Sequence, residues 1–274
     1  MRDAVTALLR RTAQEIRHAP GLRSLGPVWS VMRGTYVRCL TYLGKARGVP
    51  VTISGHVIRL HPKFAHVSWE SVEVESYRAF AAAITPGDVI YDVGAHIGTY
   101  TIIALRRSGP GGAVVAYEPD DAAREHLVRH LEWNGAGRSA LIRAVCCGAV
   151  PGEATFYYAP GEADGQSGLV PVRGFSRRSV PVTTLDEEIA AIGLAPSLVK
   201  IDVEGAEWEV LKGAEFTLRR DRPRLLISLH PAALVASGAT PDAVLEWLHA
   251  RDYRFQIVAR DHETHVLAEA GRVR

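Results

Sequence analysis

The chain has 274 residues, of which 47% are hydrophobic and 23% charged, and its formal net charge is +2. This composition is typical of a globular protein with a sizeable core, and no apolar run approaches the roughly 18 residues that a membrane-spanning helix needs. The first residues lack the pattern of a secretory signal, and the three cysteines (Cys39, Cys146 and Cys147) form no disulfide pattern, so we expect a protein of the reducing cytoplasm.

The first 47 residues are strongly basic, with nine arginines and lysines against two acids, whereas the rest of the chain is net acidic. Proline and glycine break this segment twice, which predicts short, irregular helices. A basic amphipathic arm can contact nucleic acid or an acidic membrane, but the simpler interpretation is a helical cap whose arginines face water. The role of this segment stays open.

A β-hairpin is predicted after the basic segment. Residues 49–60, VPVTISGHVIRL, alternate in polarity on either side of a Ser54-Gly55 turn. We therefore divide the chain into an N-terminal region of residues 1–69, which contains helices and this hairpin and covers the main domain, and the main domain itself, residues 70–274.

Helix and strand signals alternate from residue 70 onward. Strands are predicted at 89–93, 114–117, 140–145, 154–158, 197–203, 224–229, 254–258 and 264–268, and helices at 70–84, 99–107, 122–133, 206–218 and 241–251. Repeated βα units imply a doubly wound, Rossmann-like α/β fold with a mostly parallel seven-stranded sheet and helices on both faces. The final hairpin predicts an antiparallel edge strand.

The stretch YDVGAHIGTY, residues 91–100, places two glycines between a buried strand and a helix. Gly94 and Gly98 therefore lie on a strand-to-helix turn. At such turns the backbone can pass close to a ligand, and the helix N-terminus offers free N–H groups.

Acids or a histidine follow four of the predicted strands. Asp92 ends the first strand, Glu118 follows the second, Asp202 and Glu204 follow a third, and His230 follows the next one. Because ligands bind at the carboxyl ends of the strands in such sheets, we predict that these side chains line one pocket.

The spacing of these residues favours a ligand with a ribose, an amino group and no phosphate. Gly94-x-x-x-Gly98 is shorter than the dinucleotide pattern G-x-G-x-x-G, and His96 stands where a second glycine would let a pyrophosphate approach. Asp92 would repel phosphate but attract an ammonium group, and Glu118, 20 residues after Gly98, can accept both ribose hydroxyls. S-adenosylmethionine meets these requirements, whereas an NAD-dependent oxidoreductase is disfavoured.

Four segments, in this order, resemble the FkbM-type branch of class I S-adenosylmethionine-dependent methyltransferases: GDVIYDVGAHIGTYTI, AYEPD, VPVTTLDE and LVKIDVEGAEWEVLKG. The resemblance covers about residues 70–230, and the last segment is the most specific, because many methyltransferase groups share the glycine turn. It implies methyl transfer to a hydroxyl of a polyketide, a sugar or a similar natural product.

The resemblance also implies roles for individual residues. It implies a cofactor site formed by Asp92, Gly94, Ala95, His96, Gly98, Thr99, Tyr100, Glu118, Pro119, Ala144, Val145 and Asp202. In this set Glu118 binds the ribose, and Ala144 and Val145 approach the adenine.

The resemblance implies catalytic roles for His230, Asp202 and Glu204. The family often places an acid two positions before this histidine, but Ser228 occupies that position here. A role that depends on an acid–histidine pair at this strand end then requires Glu204 or Asp202 to supply the acid.

Transfer to an alcohol needs the acceptor's proton to be removed, and a positioned base accelerates such steps by roughly 10²–10⁴-fold. His230 is the predicted base, since a neutral imidazole accepts a proton near pH 7. Asp202, Glu204 and Glu207 with His230 could instead bind Mg²⁺, although acids at a helix start also interact favourably with its dipole. We assign no metal ligand and leave Mg²⁺ as the lesser alternative.

The expected partner is a small-molecule acceptor. A nucleic-acid substrate is disfavoured, because no N/D-P-P-Y/F-like element for holding a flipped base follows the strand at 197–203. Transfer to a nitrogen or a carboxylate remains an alternative, since it needs less help from a base. Residues 160–178 are predicted to be a loop over the acceptor, whose identity stays open, as does assembly into a homo-oligomer.

Overall fold

The computed structural model of the chain describes residues 47–64, 67–137, 139–161, 163 and 165–271. Nearly all of the basic segment, for which a helical cap is predicted, lies outside the described residues, as does Cys39. The predicted hairpin is present, with an antiparallel register that pairs Val49 with Leu60 and Ile53 with His56.

The described elements follow one another largely as predicted. In chain order the strands are β1 (Val49–Ile53), β2 (His56–Leu60), β3 (Val89–Val93), β4 (Ala113–Tyr117), β5 (Ala140–Arg143), β6 (Cys146–Cys147), β7 (Gly152–Tyr158), β8 (Ser176–Thr183), β9 (Leu198–Ile201), β10 (Arg224–Leu229), β11 (Tyr253–Arg260) and β12 (Thr264–Ala270). The helices are α1 (Val74–Ala83), α2 (Thr99–Ser108), α3 (Asp121–Trp133), α4 (Leu185–Ile192), α5 (Glu207–Lys212), α6 (Glu215–Arg220), α7 (Pro231–Ala236) and α8 (Pro241–His249).

The predicted seven-stranded sheet forms the centre of the fold, in the order β11-β12-β10-β9-β3-β4-β5. The five strands from β10 to β5 run parallel to one another. The chain moves outward from β3 through β4 to β5 and then returns to place β9 on the other side of β3. The strand order therefore reverses between β3 and β9, which is where ligands bind in doubly wound sheets.

The antiparallel strand does not lie at the edge, where it was expected. Strand β12 is antiparallel to both neighbours and lies between β10 and β11, so the edge strand β11 runs parallel to the main body of the sheet. The final hairpin accounts for this order, because a short turn can join only antiparallel neighbours. That turn brings Asp261, His262 and Glu263 to the edge at which β9 and β10 end.

The core lies on both faces of the sheet. Along β3, Ile90 packs into a cluster with the hairpin and helices α1 to α3, whereas Tyr91 and Val93 pack on the opposite face with α4, α5 and α6. The alternation follows from the period of two in a strand. Both faces of the sheet are apolar, as a mostly parallel sheet requires.

A second sheet was missed in the sequence. Strands β6, β8 and β7 form a three-stranded sheet in that order, and β8 occupies residues that were expected to be partly loop. The predicted helix at 206–218 is two short helices, α5 and α6, and helices α4 and α7 were not predicted. None of the helices in the described ranges combines the length and the apolar composition needed to cross a membrane.

Candidate functional site

A cavity of about 510 Å³ opens at the carboxyl ends of β3, β4 and β9. This volume lies in the range of small-molecule sites. Its lining includes Gly94 after β3, Glu118 after β4, Asp202 and Glu204 after β9, and Glu263 from the last hairpin. The predicted pocket at the strand ends is therefore present.

The glycine turn brings two strands very close together. A Cβ at Gly94 would lie 1.7 Å from the backbone oxygen of Asp202, and Gly94 has φ +80°, which other residues rarely adopt. Gly98 has a different neighbour, because a Cβ there would lie 2.3 Å from Leu127 Cδ1 of α3. Gly94 thus permits the close approach at the strand reversal, and Gly98 permits the packing of α2 against α3.

Two backbone N–H groups fix the side chain of Glu118 beside this turn. Its Oε2 accepts the backbone N–H of His96 at 2.6 Å, and its Oε1 accepts that of Asp120 at 2.7 Å. The side chain is buried, and burial raises the pKa of Glu118 to about 7 despite these hydrogen bonds. A carboxylate fixed by two N–H groups still has free lone pairs on both oxygens, as a pair of vicinal hydroxyls requires.

Lys200 is a buried cation between two acids. Its Nζ lies 3.4 Å from Asp92 Oδ1 and 3.2 Å from Asp202 Oδ2, and it donates to the backbone oxygen of Gly94 at 2.8 Å. Asp92 also accepts a hydrogen bond from Thr101 Oγ1 at 2.6 Å. Asp92 is therefore a structural acid beneath the glycine turn, and it is not among the residues that line the cavity.

Replacing Lys200 by methionine should destabilise the fold by about 3 kcal/mol, because it leaves buried Asp92 and half-buried Asp202 without their cation. Adding Asp92→Asn to Lys200→Met should recover part of this loss. Urea unfolding measures both values, with Lys212→Met, which changes a half-exposed lysine, as the control. If Lys200→Met costs no more than Lys212→Met, the ion pairs do not stabilise the fold.

Beside the cavity, one imidazole meets four carboxylates, which we call the His230 cluster: His230, Asp202, Glu204, Glu207 and Glu263. Three of the carboxylates, Asp202, Glu204 and Glu263, line the cavity. His230 Nδ1 lies 2.8 Å from Glu207 Oε1. On the other side of the ring, Nε2 lies 3.3 Å from Glu263 Oε1, 3.4 Å from Glu204 Oε1 and 3.7 Å from Asp202 Oδ1.

The carboxylates of this cluster favour a charged His230 over the neutral imidazole that a base requires. Burial favours an uncharged His230, but Glu204, Glu207, Glu263 and Asp202 outweigh it and raise the pKa of His230 well above its usual range. Burial also raises the pKa of Glu204. The cluster therefore favours positive charge at the position of His230 Nε2, whereas the sequence predicted a neutral imidazole there.

The structure brings together most of the predicted site residues but not all of them. Those that line the cavity are Gly94, Ala95, His96, Thr99, Tyr100, Glu118, Pro119, Val145, Asp202 and Glu204. Asp92, Gly98, Ala144 and His230 are not among the lining residues. His230 contacts two lining residues, Asp202 and Glu204. The cysteines Cys146 and Cys147 line the cavity where Ala144 was expected.

Three functional candidates were missed in the sequence: Glu73, Lys200 and Glu263, all of which line the cavity. Lys200 could have been noticed as a lysine inside an apolar strand, since buried lysines are nearly always paired. Glu263 lies in the turn Asp261-His262-Glu263. Two acids and a histidine in one turn are a pattern that could have indicated a functional site. Glu73 precedes α1, inside the region predicted as helix, and nothing local distinguishes it from Glu70 or Glu75.

Glu73, which directly precedes α1, is a further acid in the lining of the cavity. Its Oε2 accepts a hydrogen bond from Tyr100 Oη at 3.0 Å. Burial, followed by the nearby charges of Asp202 and Glu263, raises the pKa of Glu73 to about 7. No residue of the hairpin at 49–60 lines the cavity, so among the described residues of the predicted N-terminal region only Val67 and Trp69 line it.

The described part of the predicted loop forms one wall of the cavity, through Ala163, Gly165 and residues 166–170 and 172. Arg178 lies on β8 and contacts Asp121 as well as the backbone oxygen of Pro119. The loop thus leaves the three-stranded sheet, crosses the cavity and returns through β8. Burial raises the pKa of Cys146 to about 12, so this thiol is an inert part of the lining.

The comparisons with known proteins agree with this geometry. The sequence model of the methyltransferase FkbM domain matches residues 92–255. The structure of ribosomal protein L11 methylase from Lactobacillus delbrueckii subsp. bulgaricus has a TM-score of 0.51 at 12% identity, covering 80% of this chain and 87% of that chain. This likeness supports the fold alone.

Two further solved structures have lower scores. Methyltransferase FkbM from Methylobacillus flagellatus KT has a TM-score of 0.48 at 16% identity, covering 88% of this chain and 60% of that one. Aeropyrum pernix fibrillarin, with natively bound S-adenosyl-L-methionine, has a TM-score of 0.44 at 15% identity, covering 72% of this chain and 76% of that one. Among curated protein sequences, none matches this chain significantly.

Proposed function

The chain belongs to the FkbM methyltransferase family, and its fold is that of the Rossmann-like, S-adenosylmethionine-dependent methyltransferases; we propose that it transfers the methyl group to a hydroxyl of a small molecule. The observation that carries this proposal is the shape of the cavity. It extends from Glu118, a carboxylate suited to a ribose, to Asp202 and Glu204, carboxylates suited to a hydroxyl proton.

In this proposal the cofactor lies along the ends of β3 and β4. Glu118 accepts the two ribose hydroxyls, Val145 with Cys146 and Cys147 contacts the adenine, and the turn at Gly94 and Ala95 contacts the methionine end. Asp92 acts indirectly, because its ion pair with Lys200 fixes the turn. The bound cofactor supplies the methyl group as a sulfonium, and the chain positions it and excludes water.

The acceptor occupies the end of the cavity near the His230 cluster. There the hydroxyl meets Asp202 or Glu204, which take its proton, while His230 behind them is a positioning residue. This arrangement modifies the role expected for His230 from the sequence. The sequence predicted that its imidazole would meet the hydroxyl, but Asp202 and Glu204 line the cavity and His230 is not among the lining residues.

The charge of the cavity supports an uncharged or cationic small acceptor over a nucleic acid. Glu73, Asp202, Glu204 and Glu263 all line it, and a phosphate backbone would be repelled by this concentration of carboxylates. Natural products with several hydroxyls, such as polyketides and sugars, are the acceptor class that we propose.

Transfer from S-adenosylmethionine with a labelled methyl group tests this proposal. The chain is incubated with panels of hydroxylated molecules, of amines and of carboxylic acids, and the labelled product is treated with mild alkali. A methyl ether survives this treatment, whereas a methyl ester releases methanol. Alkali-stable label on hydroxylated acceptors supports O-methylation, and label confined to amines or released by alkali establishes one of the alternatives instead.

The affinity for S-adenosylhomocysteine should fall roughly tenfold between pH 8 and pH 6. The ribose hydroxyls need an ionised Glu118, and the free protein holds the pKa of this carboxyl at about 7. As the pH falls through 7, Glu118 becomes protonated, and binding must then release a proton. Calorimetric titration at the two pH values measures this ratio.

The matched control for this pH dependence is Glu118→Gln. Its side chain is uncharged at both pH values, so its affinity should be low and nearly the same at each. This control also separates Glu118 from Glu73, whose pKa is similarly raised to about 7. Equal wild-type affinities at pH 6 and pH 8 would show that the ionisation of Glu118 is not linked to cofactor binding.

A further inference from the structure

The orientation of His230 is fixed by a buried acid. Its Nδ1 lies 2.8 Å from Glu207 Oε1, and because a carboxylate can only accept, Nδ1 carries the proton. Glu207 is fully buried and also accepts the backbone N–H of Gly205 at 2.9 Å. This pattern, a carboxylate holding one ring nitrogen of a histidine, is typical of histidines whose other nitrogen binds a metal.

The other ring nitrogen points at carboxylates without a hydrogen bond. Among the described residues, His230 Nε2 and Glu263 Oε2 are both buried atoms that have no hydrogen-bond partner. The two residues are only 7% and 6% exposed. Buried polar atoms without a partner are rare and costly, so a ligand is expected at His230 Nε2. Glu263 faces this nitrogen with Oε1, at 3.3 Å, whereas its Oε2 lies 3.9 Å from His265 Nε2.

The geometry suits a single cation. Ligand atoms of Asp202, His230 and Glu263 all lie within 4.8 Å of one another, which is about the span of donors placed around one metal ion at 2.0–2.3 Å each. Exposed His262 also contacts Glu263 Oε1, at 2.8 Å. We propose that Asp202, His230 and Glu263 bind one divalent cation, with Glu204 beside it.

The donor set indicates the kind of cation. Carboxylate oxygens suit Mg²⁺ and Mn²⁺, whereas imidazole nitrogen suits first-row transition metals. Mn²⁺ accepts both and is the ion that we expect to bind best. This assignment replaces the sequence-based expectation of no metal ligand. It also differs from the Mg²⁺ alternative, whose candidate ligands did not include Glu263.

The cation would take part in the proposed methyl transfer, and this part of the inference rests on that proposed function. Asp202 and Glu263 line the cavity, so the ion faces the space that we assign to the acceptor. There it would bind the acceptor hydroxyl and lower its pKa, and Glu204 would take the released proton. The preferred acceptors would then be those with two neighbouring oxygens, which can occupy two positions on one ion.

Titration of the wild-type chain with Mn²⁺ alone tests the site without cofactor or acceptor. We expect about one Mn²⁺ per chain, and we expect Asp202→Asn and Glu263→Gln each to weaken binding at least tenfold. The control is Glu209→Gln, which changes a half-exposed acid on α5 and should leave the affinity unchanged. Parallel titrations with Mg²⁺ and Zn²⁺ establish the preference, and thermal melting confirms that each variant is folded.

A spectroscopic measurement distinguishes direct binding of the metal by His230 from a purely structural role of the cluster. Pulsed electron paramagnetic resonance of bound Mn²⁺ should show coupling to one imidazole nitrogen, and this coupling should be absent in folded His230→Gln. The proposal is overturned if the wild type binds none of the three ions, or if Glu263→Gln binds Mn²⁺ as tightly as the wild type. S-adenosylhomocysteine binding, measured separately, distinguishes this failure from failure of the proposed function.

Discussion

Replacing Gly94 by alanine should abolish stable folding, with a loss of about 5 kcal/mol or more in the free energy of unfolding. The new Cβ would lie 1.7 Å from the backbone oxygen of Asp202. Backbone cannot move aside as the end of a flexible side chain can, so β3 and β9 would have to separate. The left-handed backbone at Gly94 adds roughly 1–2 kcal/mol for any L residue.

The matched control for this prediction is Gly87→Ala. Gly87 has φ +89°, close to the +80° of Gly94, but nothing lies within 4 Å of its Cβ position. The Gly87 variant therefore measures the cost of the left-handed backbone alone, roughly 1–2 kcal/mol. Urea unfolding of both variants measures the difference between them. Equal losses would contradict the close approach of β3 to Asp202, and with it the geometry of the strand reversal.

Replacing Glu118 by alanine should weaken S-adenosylhomocysteine binding about a thousandfold. Hydrogen bonds to a charged group contribute roughly 1.5–3 kcal/mol each, and the variant loses two of them. The backbone N–H groups of His96 and Asp120 also lose their acceptor, but they face a cavity that water can enter. Calorimetric titration measures the affinity, and thermal melting shows whether the variant is folded.

Glu125→Ala is the control for the Glu118 variant. Glu125 is an exposed acid on α3 that pairs only with Arg129 at 2.8 Å among the described ion pairs, so its loss should leave cofactor affinity within about twofold of wild type. A folded Glu118→Ala with wild-type affinity would place the ribose elsewhere and remove the main support for the proposed position of the cofactor.

The fold could be predicted from the sequence wherever one signal determined one element. Strand β3 was predicted with its observed bounds, because Pro86-Gly87 and the glycine turn enclose a short apolar run. The mostly parallel seven-stranded sheet followed from the βα repeats. Helix α4 was missed although its signal was present: Thr184 and Glu187 form the start of a capping box, and Thr184 accepts the N–H of Glu187 at 3.1 Å.

The residues of the candidate site could be predicted only where they lie at the ends of predicted strands. The ends of β3, β4 and β9 supply residues directly after predicted strands, so Gly94, Glu118 and Asp202 were found. Glu263 comes to the cavity because β12 inserts between β10 and β11, and the sequence had been interpreted with the antiparallel strand at the edge. Glu73 depends on the packing of α1 against α2, a contact that no local pattern specifies.

The interpretation of His230 shows the same limit. A histidine after a strand is compatible with a base, a metal ligand or a structural role. The residues that contact His230 decide between these three roles. Three of the four carboxylates around it (Asp202, Glu204 and Glu207) lie within six residues of one another, whereas Glu263 comes from the far end of the chain. Only the folded arrangement shows that Nδ1 is occupied and that Nε2 is surrounded by acids.

Binding of S-adenosylmethionine in this cavity is tested by calorimetric titration of the wild-type chain with S-adenosylhomocysteine and, separately, with NAD. We expect one binding site per chain for S-adenosylhomocysteine and no heat of binding for NAD. Binding of NAD alone, or of neither compound, would contradict this expectation, because the glycine turn and Glu118 would then serve another ligand or none.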